Sequence, residues 1–434
     1  MRKIICSVLL AVLFLGTALF ANAQAATVTV IKAGKLIDTE NGKVLTNQMI
    51  LIENDIIKAV GANLTIPAGA KVIDLSNGVV MPGFIDTHTH ITGDSNENYY
   101  DMFRKSFVDG AITAHINARK TLDAGFTTIR NLGAEGFVDV ALKNAINDGK
   151  IPGPRMQCAT YYIGSTGSHG DLNGFSPWLS TRMPEEMSGV ADGPDGVRKK
   201  VRYLIKYGAD VIKFGASAGV LSEEASVGAP QFTQEEMNAI VDEAKMHGIK
   251  ACAHAHGTQA IKMAILAGVA SIEHGSFLDD EGIRMMKERG TYLSADIYND
   301  DYIMAEFGRL GYPQKILDKE KLVGRTQREN FKKAVLAGVK IAYGTDAGVY
   351  PHGWNGKQFA KMVEWGQTPM QAIQSATINS ADLLGWKDQI GSIKVGKYAD
   401  IVAVTENPLD QISVLENVQF VMKGGVVYKN LMVK

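Results

Sequence analysis

Two histidines spaced two residues apart are the first side chains that suggest chemistry. His88 and His90 end the segment Asp86-Thr87-His88-Thr89-His90, which follows an apolar run. Because side chains alternate along a strand, residues two apart point the same way, and both imidazoles can bind one metal ion. The pair alone is equally compatible with two polar histidines on a loop.

Four further candidates stand at or just after the ends of later apolar runs, namely Lys213, His254, His274 and Asp346. A lysine in such surroundings is costly unless it is modified or paired. Imidazole and carboxylate groups suit zinc and other divalent ions, whereas structural metal sites are usually closed by cysteines. These residues and the histidine pair are therefore the candidates for one functional site.

The elements that must position these residues follow a repeating pattern, in which short apolar runs alternate with helical patterns. Such an alternation is typical of βα units and a parallel sheet. The predicted strands are residues 83–86, 127–130, 156–159, 210–213, 249–253, 271–274, 292–295 and 340–343. Eight units predict an α/β fold with a (β/α)8 TIM-like barrel, whose active site lies at the carboxyl ends of the strands. A doubly wound open sheet is the alternative.

Both ends of the chain show a different texture, with short alternating apolar segments separated by turn residues. Residues 28–31 and 49–52 carry it near the front, and residues 400–404 and 418–422 carry it near the end. This pattern predicts antiparallel β structure. We expect residues 26–80 and 396–434 to form one small β-sandwich domain beside a barrel of residues 81–395.

The first 25 residues predict a secretory signal peptide. Arg2 and Lys3 precede an apolar run from Ile4 to Phe20, and small residues follow. The run is short for a membrane span, so a periplasmic or secreted protein is expected, with a retained anchor as the alternative. Only Cys158 and Cys252 would then remain, and buried free thiols are expected rather than a disulfide framework.

Composition limits the partners. The 434 residues carry a formal net charge of −1, and loss of Arg2 and Lys3 with the leader would make it −3. Such a balanced surface argues against nucleic acid as a partner. No later run is long and uncharged enough for a membrane span, so the protein is not expected to be membrane-embedded. A homo-oligomer is left open.

The motifs together resemble the amidohydrolase superfamily. The segments that carry the resemblance are residues 82–90, 272–275, 344–346 and 391–401, with Lys213 and His254 between them. The resemblance implies two divalent ions. His88, His90 and Asp346 would hold one, His254 and His274 the other, and Lys213, as N6-carboxylysine, would bridge them. Zinc is expected, and manganese, cobalt or iron could occupy the same set.

The resemblance also implies hydrolysis of an amide bond by water shared between the two ions, with Asp346 as the catalytic proton shuttle. Residues 164–171 and 213–220 resemble the imidazolonepropionase-like branch, which includes dipeptidases for Xaa-Pro or Xaa-Arg/Lys. His169 is then implied as a catalytic oxyanion stabiliser. His256 and His352 are weaker candidates for substrate contact, since each follows a proposed ligand in the same loop.

Three alternatives to a dipeptidase remain open at this point. One is an amidase for cyclic or aryl amides, which the same metal site would support. Another is an imidazolonepropionase or deaminase, although these generally use one metal and lack the lysine. The third is a binding protein with a decayed site, which the intact set of ligands disfavours. Acidic residues in the insertion 172–196 and at Glu223 and Glu224 would suit a basic side chain of a dipeptide.

Overall fold

The computed structural model describes residues 27–173, 176, 188–222, 224 and 226–432, without the side chains of residues 102 and 103. The predicted signal peptide therefore lies outside the described residues. So do Glu223 and most of the insertion, including Trp178, Arg182, Glu185 and Glu186. The predictions for these residues stay predictions.

Strands from both ends of the chain form one seven-stranded sheet, in the order β15-β14-β13-β4-β1-β2-β3. This confirms the predicted β domain. The described strands of this domain all pair into one continuous sheet. The two layers expected of a β-sandwich are therefore not two separate sheets. The pairing of β1 with β4 is parallel, against the antiparallel prediction. β2 and β3 extend the sheet from one edge of β1, and residues 62–70 then cross to its other edge, where β4 pairs. The strands are β1 (Val28–Asp38), β2 (Lys43–Glu53), β3 (Ile56–Gly61), β4 (Lys71–Pro82), β13 (Ile401–Val404), β14 (Phe420–Lys423) and β15 (Val426–Asn430).

The middle of the chain contributes eight strands in two parallel sheets, which confirms the predicted α/β fold. β5 to β7 form a three-stranded sheet, and β8 to β12 form a five-stranded one. All eight predicted strands are present, and their ends differ from the predicted ones by at most three residues. They are β5 (Phe84–Thr89), β6 (Phe126–Asn131), β7 (Arg155–Cys158), β8 (Val211–Gly215), β9 (Lys250–Ala255), β10 (Ser271–His274), β11 (Tyr292–Ser294) and β12 (Ile341–Ala342).

Helices connect these strands, and residues with capping side chains start several of them. Ser106, Thr233 and Thr368 each accept a backbone N–H of the first turn in a capping box. Of the helices described, none has the length and apolar content needed to cross a membrane. The helices are α1 (Phe107–Asp123), α2 (Val138–Asn147), α3 (Gly193–Lys206), α4 (Gln234–Met246), α5 (Thr258–Ala267), α6 (Asp280–Arg289), α7 (Asn299–Glu306), α8 (Gln314–Ala337), α9 (Lys357–Glu364), α10 (Pro369–Gln374) and α11 (Ser380–Leu384).

Backbone hydrogen bonds link the two parallel sheets at both of their meeting edges. The Ile163 N–H donates to the Lys213 carbonyl and the Gly215 N–H to the Ile163 carbonyl, each at 2.9 Å. On the other side, the Thr87 N–H donates to the Tyr343 carbonyl at 2.7 Å. The carboxyl ends of β5 to β12 therefore face the same side of the molecule.

Arg130 of β6 crosses the interior between the two sheets. Its side chain is 2% exposed, and its Nε donates to the Thr87 carbonyl of β5 at 2.6 Å. The guanidinium also donates to Ser271 Oγ at 3.2 Å and to Glu273 Oε1 at 2.9 Å, both on β10. A charge buried this deeply must be paired, so Arg130 and Glu273 depend on one another.

Replacement of Arg130 by Met should lower the free energy of unfolding by about 3–5 kcal/mol, because Glu273 would be left buried without its partner. Urea denaturation followed by circular dichroism measures the change. The matched control is Arg325→Met on α8, whose side chain is 83% exposed in an i,i+4 pair and should cost less than about 1 kcal/mol. Equal stabilities of the two variants would contradict this role of Arg130.

Candidate active site

A cavity of about 1130 Å³ opens at the carboxyl ends of the parallel strands. Its lining brings together residues that are far apart in sequence, as expected for a barrel-type enzyme. Eight of the nine site residues expected from the sequence line it: His88, His90, His169, Lys213, His254, His256, His274 and Asp346. The ninth, His352, does not.

The first group of side chains that could hold a metal ion consists of His88, His90 and Asp346. Oδ1 of Asp346 lies 3.2 Å from Nε2 of both histidines. The Asp346 N–H donates to the His88 carbonyl at 2.7 Å, which ties the loop after β12 to β5. Asp346 has a φ of 57°, a conformation that is strained for a residue with a side chain and that recurs at functional sites.

The second group consists of His254, His256 and His274, whose donor atoms lie within 4.8 Å of one another. The His254 and His274 ring centroids are 4.6 Å apart, and the His256 ring stacks on His274 at 4.7 Å. His256 therefore lies closer to the ligand group than the sequence suggested. Its Nδ1 is 2.7 Å from Ser276 Oγ, so one ring nitrogen already has a partner.

Lys213 lies beside the first group and is 1% exposed. Its Nζ is 3.4 Å from His88 Nε2 and 5.9 Å from the centre of the Tyr162 ring. The His88 ring is in turn 5.1 Å from His274, so the two groups are contiguous. Burial lowers the pKa of Lys213, which favours a neutral amine.

The protonation of the histidines suits metal binding. Burial, with Lys213 nearby, lowers the pKa of His88 to about 4, and burial with three neighbouring histidines holds the pKa of His254 well below its usual range. Both rings are therefore neutral near pH 7 and can donate a lone pair. Nε2 of His254 is buried without a hydrogen-bond partner among the described residues. Orphaned imidazole nitrogens beside a carboxylate fit a divalent metal ion.

Asp296 orients His274 and was not singled out from the sequence. Its Oδ1 lies 2.9 Å from His274 Nδ1, and the carboxylate also accepts hydrogen bonds from Gln327 at 2.7 Å and Asn299 at 2.6 Å. Burial alone would lower the pKa of His274, but the neighbouring carboxylate of Asp296 raises it. A carboxylate behind a histidine fixes the tautomer that presents Nε2 to a metal. The position of Asp296 just after β11 was the available signal.

Two buried carboxylates, Glu273 and Asp86, contact the first group or the loop that carries it. Neither was among the site residues expected from the sequence. Glu273 Oε2 lies 3.3 Å from His88 Nδ1. Asp86 accepts hydrogen bonds from the Thr345 hydroxyl at 2.6 Å and from Asn355 at 2.8 Å. Burial raises the pKa of Asp86 to about 7 despite these bonds. In the sequence, only their positions in the quoted motifs, one or two residues before a histidine, could have indicated a role for them.

His169 lies over the second group. Its ring stacks on His254 with centroids 4.4 Å apart and an interplanar angle of 19°. Nδ1 is 2.7 Å from Ser222 Oγ, which leaves Nε2 as the ring nitrogen without that contact. Burial lowers the pKa of His169 to about 4, so the neutral ring can donate only one N–H.

His352 differs from the expectation of a substrate contact. It is 6% exposed, and its Nε2 lies 3.1 Å from the His90 carbonyl. Since His352 does not line the cavity, it contacts the backbone behind His90 rather than a bound substrate.

Comparison with known proteins supports the resemblance drawn from the motifs. A family model described as Amidohydrolase family matches residues 79–428. Ochratoxinase from Aspergillus niger is 34% identical over 94% of this chain and 88% of its own length. Imidazolonepropionase from Thermoplasma acidophilum is 24% identical over 89% of this chain and 90% of its own.

Among solved structures, a Xaa-Pro dipeptidase with bound methionine in the active site is 41% identical. The match covers 93% of this chain and 100% of that one, with a TM-score of 0.89. The family model spans the parallel sheets and nearly all of the histidine-rich cavity's lining elements. The chain therefore belongs to the amidohydrolase family and is a hydrolase that acts on carbon–nitrogen bonds.

Proposed function

We propose that this protein is a metal-dependent hydrolase of amide bonds whose substrates are dipeptides. The observation that carries the proposal is the pair of contiguous ligand groups, with buried Lys213 beside them. Similarity to a Xaa-Pro dipeptidase over nearly the whole chain supports the choice of dipeptides. Hydrogen bonds at both edges of the two parallel sheets support a closed (β/α)8 barrel as the scaffold.

The proposed ligands follow the two groups. His88, His90 and Asp346 would hold one ion, and His254 and His274 would hold the other, with zinc as the expected metal. Carboxylation of Lys213 would add CO2 to Nζ with loss of a proton, and the resulting carbamate oxygens would bridge the two ions. Its burial and its distance of 3.4 Å from His88 support this modification. His256 is the alternative third ligand beside His254 and His274.

Divalent ions held there would polarise the scissile carbonyl and would lower the pKa of a water molecule to about 7. The side chains of this chain then supply the remaining steps. The histidines around it hold the pKa of Asp346 well below its usual range although burial opposes this, so the carboxylate is ionised and can accept the proton of the attacking water. It would return this proton to the leaving amine. The neutral His169 ring would donate its N–H to the developing oxyanion.

An amidase for larger aryl amides is the second candidate. The similarity to ochratoxinase favours it, and a cavity of about 1130 Å³ is at the upper end of the usual range for small-molecule sites. The imidazolonepropionase and deaminase reading is weaker, because Lys213 is present at the centre of the site.

Elemental analysis of protein purified without chelator should find about two divalent ions per chain, and dialysis against a strong chelator should abolish hydrolysis until zinc is added back. Activity is measured by ninhydrin on Xaa-Pro, Xaa-Arg and Xaa-Lys dipeptides, with ochratoxin in parallel. Cleavage of ochratoxin but of no dipeptide would transfer the assignment to the second candidate. Full activity of metal-free protein would refute metal dependence.

The variant Asp346→Asn should lower kcat by about 10²–10⁴-fold while much of the metal is retained, because it removes the proton acceptor. Steady-state kinetics and elemental analysis are measured on the same sample. Asp318→Asn, an exposed position on α8, is the matched control and should behave as wild type. Turnover near that of wild type in Asp346→Asn would contradict the role of the carboxylate.

The variant Lys213→Ala should lose metal and activity, since the proposed carbamate bridge cannot form. Added short carboxylic acids such as acetate or propionate should restore part of both, because their oxygens can replace the bridge. Lys105→Ala, at the exposed rim of the cavity, is the control and should keep its metal. Metal retained in Lys213→Ala, or no rescue by any carboxylic acid, would argue for His256 as the ligand instead.

A further inference from the structure

One face of α8 forms a wall of the cavity and carries an acidic side chain that the proposed reaction does not use. Glu320, Val323 and Gln327 line the cavity at positions i, i+3 and i+7 of the helix. Glu320 is 4% exposed, and among the described residues its carboxylate has neither a hydrogen bond nor an ion pair. Burial of an ionised carboxylate without a partner is costly, and a cation bound in the cavity would offset that cost.

The cations nearest to Glu320 in the helix are already engaged elsewhere. Lys319 donates to the carbonyls of Gly219 at 2.9 Å and Ser222 at 2.7 Å. Arg328 lies 3.0 Å from Asp300 and 2.8 Å from Asp301. Neither side chain forms an ion pair with Glu320, although Arg328 is near enough to lower its pKa, and Glu320 lines the cavity.

The electrostatic surroundings of Glu320 are negative. Burial and the carboxylates of Asp300 and Asp296 raise the pKa of Glu320 to about 8, with Arg328 opposing them. The Glu320 carboxyl group on its own is therefore mainly protonated near pH 7. A cation that entered the cavity here would lower this pKa and stabilise the ionised carboxylate.

The distance from the ligand groups indicates which part of a substrate would reach Glu320. Gln327 marks the reacting end, because it donates to Asp296, which holds His274. Glu320 lies seven residues before Gln327, or about 10 Å along the helix axis at 1.5 Å per residue. The charged end of an extended substrate side chain can reach across this distance, whereas the α-ammonium group lies too close to the scissile bond.

We propose that Glu320 forms a subsite for a cationic group of the substrate, the end of a lysine or arginine side chain, and so determines specificity. The proposal rests on the proposed amide hydrolysis and names the substrate class of the same site. Glu320 is a specificity residue and takes no part in bond cleavage.

The test compares substrates that differ only in charge, using Glu320→Gln and the metal-loaded protein. The variant should lower kcat/KM for Ala-Lys by about 10- to 100-fold, the usual worth of a hydrogen bond to a charged group, and should change Ala-norleucine by less than about 3-fold. Glu329→Gln, exposed on the same helix and paired with Arg325, is the matched control and should change neither. Glu320→Met serves as a second variant if the first is poorly folded.

N-acetyl-Ala-norleucine separates the two possible sources of the charge. A loss on Ala-Lys alone supports the side-chain subsite. An equal loss on Ala-Lys and Ala-norleucine, with the acetylated substrate unaffected, would assign the α-ammonium group to Glu320 and overturn the side-chain assignment. Equal effects on all three substrates, or none, would overturn the subsite altogether.

A binding measurement keeps the subsite separate from the proposed function. Calorimetry compares n-pentylamine with n-pentanol on the metal-loaded protein, and wild type should prefer the amine whereas Glu320→Gln should not. If wild type cleaves no dipeptide but shows this preference, the proposed function fails and the subsite stands. If it cleaves dipeptides without the preference, the subsite fails and the proposed function stands.

Discussion

Burial of ionisable groups at the carboxyl ends of the strands is the constraint on which the rest of the structure depends. Desolvation penalises every charge there, so each must be paired, neutral or matched by a ligand. His88 and His254 respond by staying neutral. Glu273 responds by pairing with Arg130, and Asp296 by pairing with His274. The cost of burial thus leaves His88 and His254 in the neutral state that metal binding requires.

Hydrogen bonds of a buried carboxylate hold the backbone around the proposed ligands in place. Asp86, within β5, accepts hydrogen bonds from the hydroxyl of Thr345 and the amide of Asn355, which ties the loop of Asp346 to the strand of His88. His274, like Asp346, has a positive φ, 68°. Such strain persists only where surrounding contacts over-determine the backbone, and here those contacts come from neighbouring strands.

Relatives whose names give different substrates match nearly the whole length of this chain. A Xaa-Pro dipeptidase and an ochratoxinase both match this chain over more than nine-tenths of its length. The ligands come from strand ends, whereas α7, α8 and the loop after β8 form the wall where Glu320 and Val220 lie. Under the proposed function, the groups that act on the amide bond and the proposed specificity residue Glu320 lie on separate parts of the fold.

The sequence by itself determined the strands and the candidate ligands, because apolar runs and short motifs are local signals. Residues such as His88 and Lys213 could be singled out because they stand at strand ends. The partners Asp296 and Glu320, the buried position of His352 and the parallel pairing of β1 with β4 were decided only by the tertiary structure. These features depend on contacts between segments far apart in the chain. Burial, which distinguishes carboxylates such as Asp296 and Glu320 from exposed ones, exists only in the packed fold.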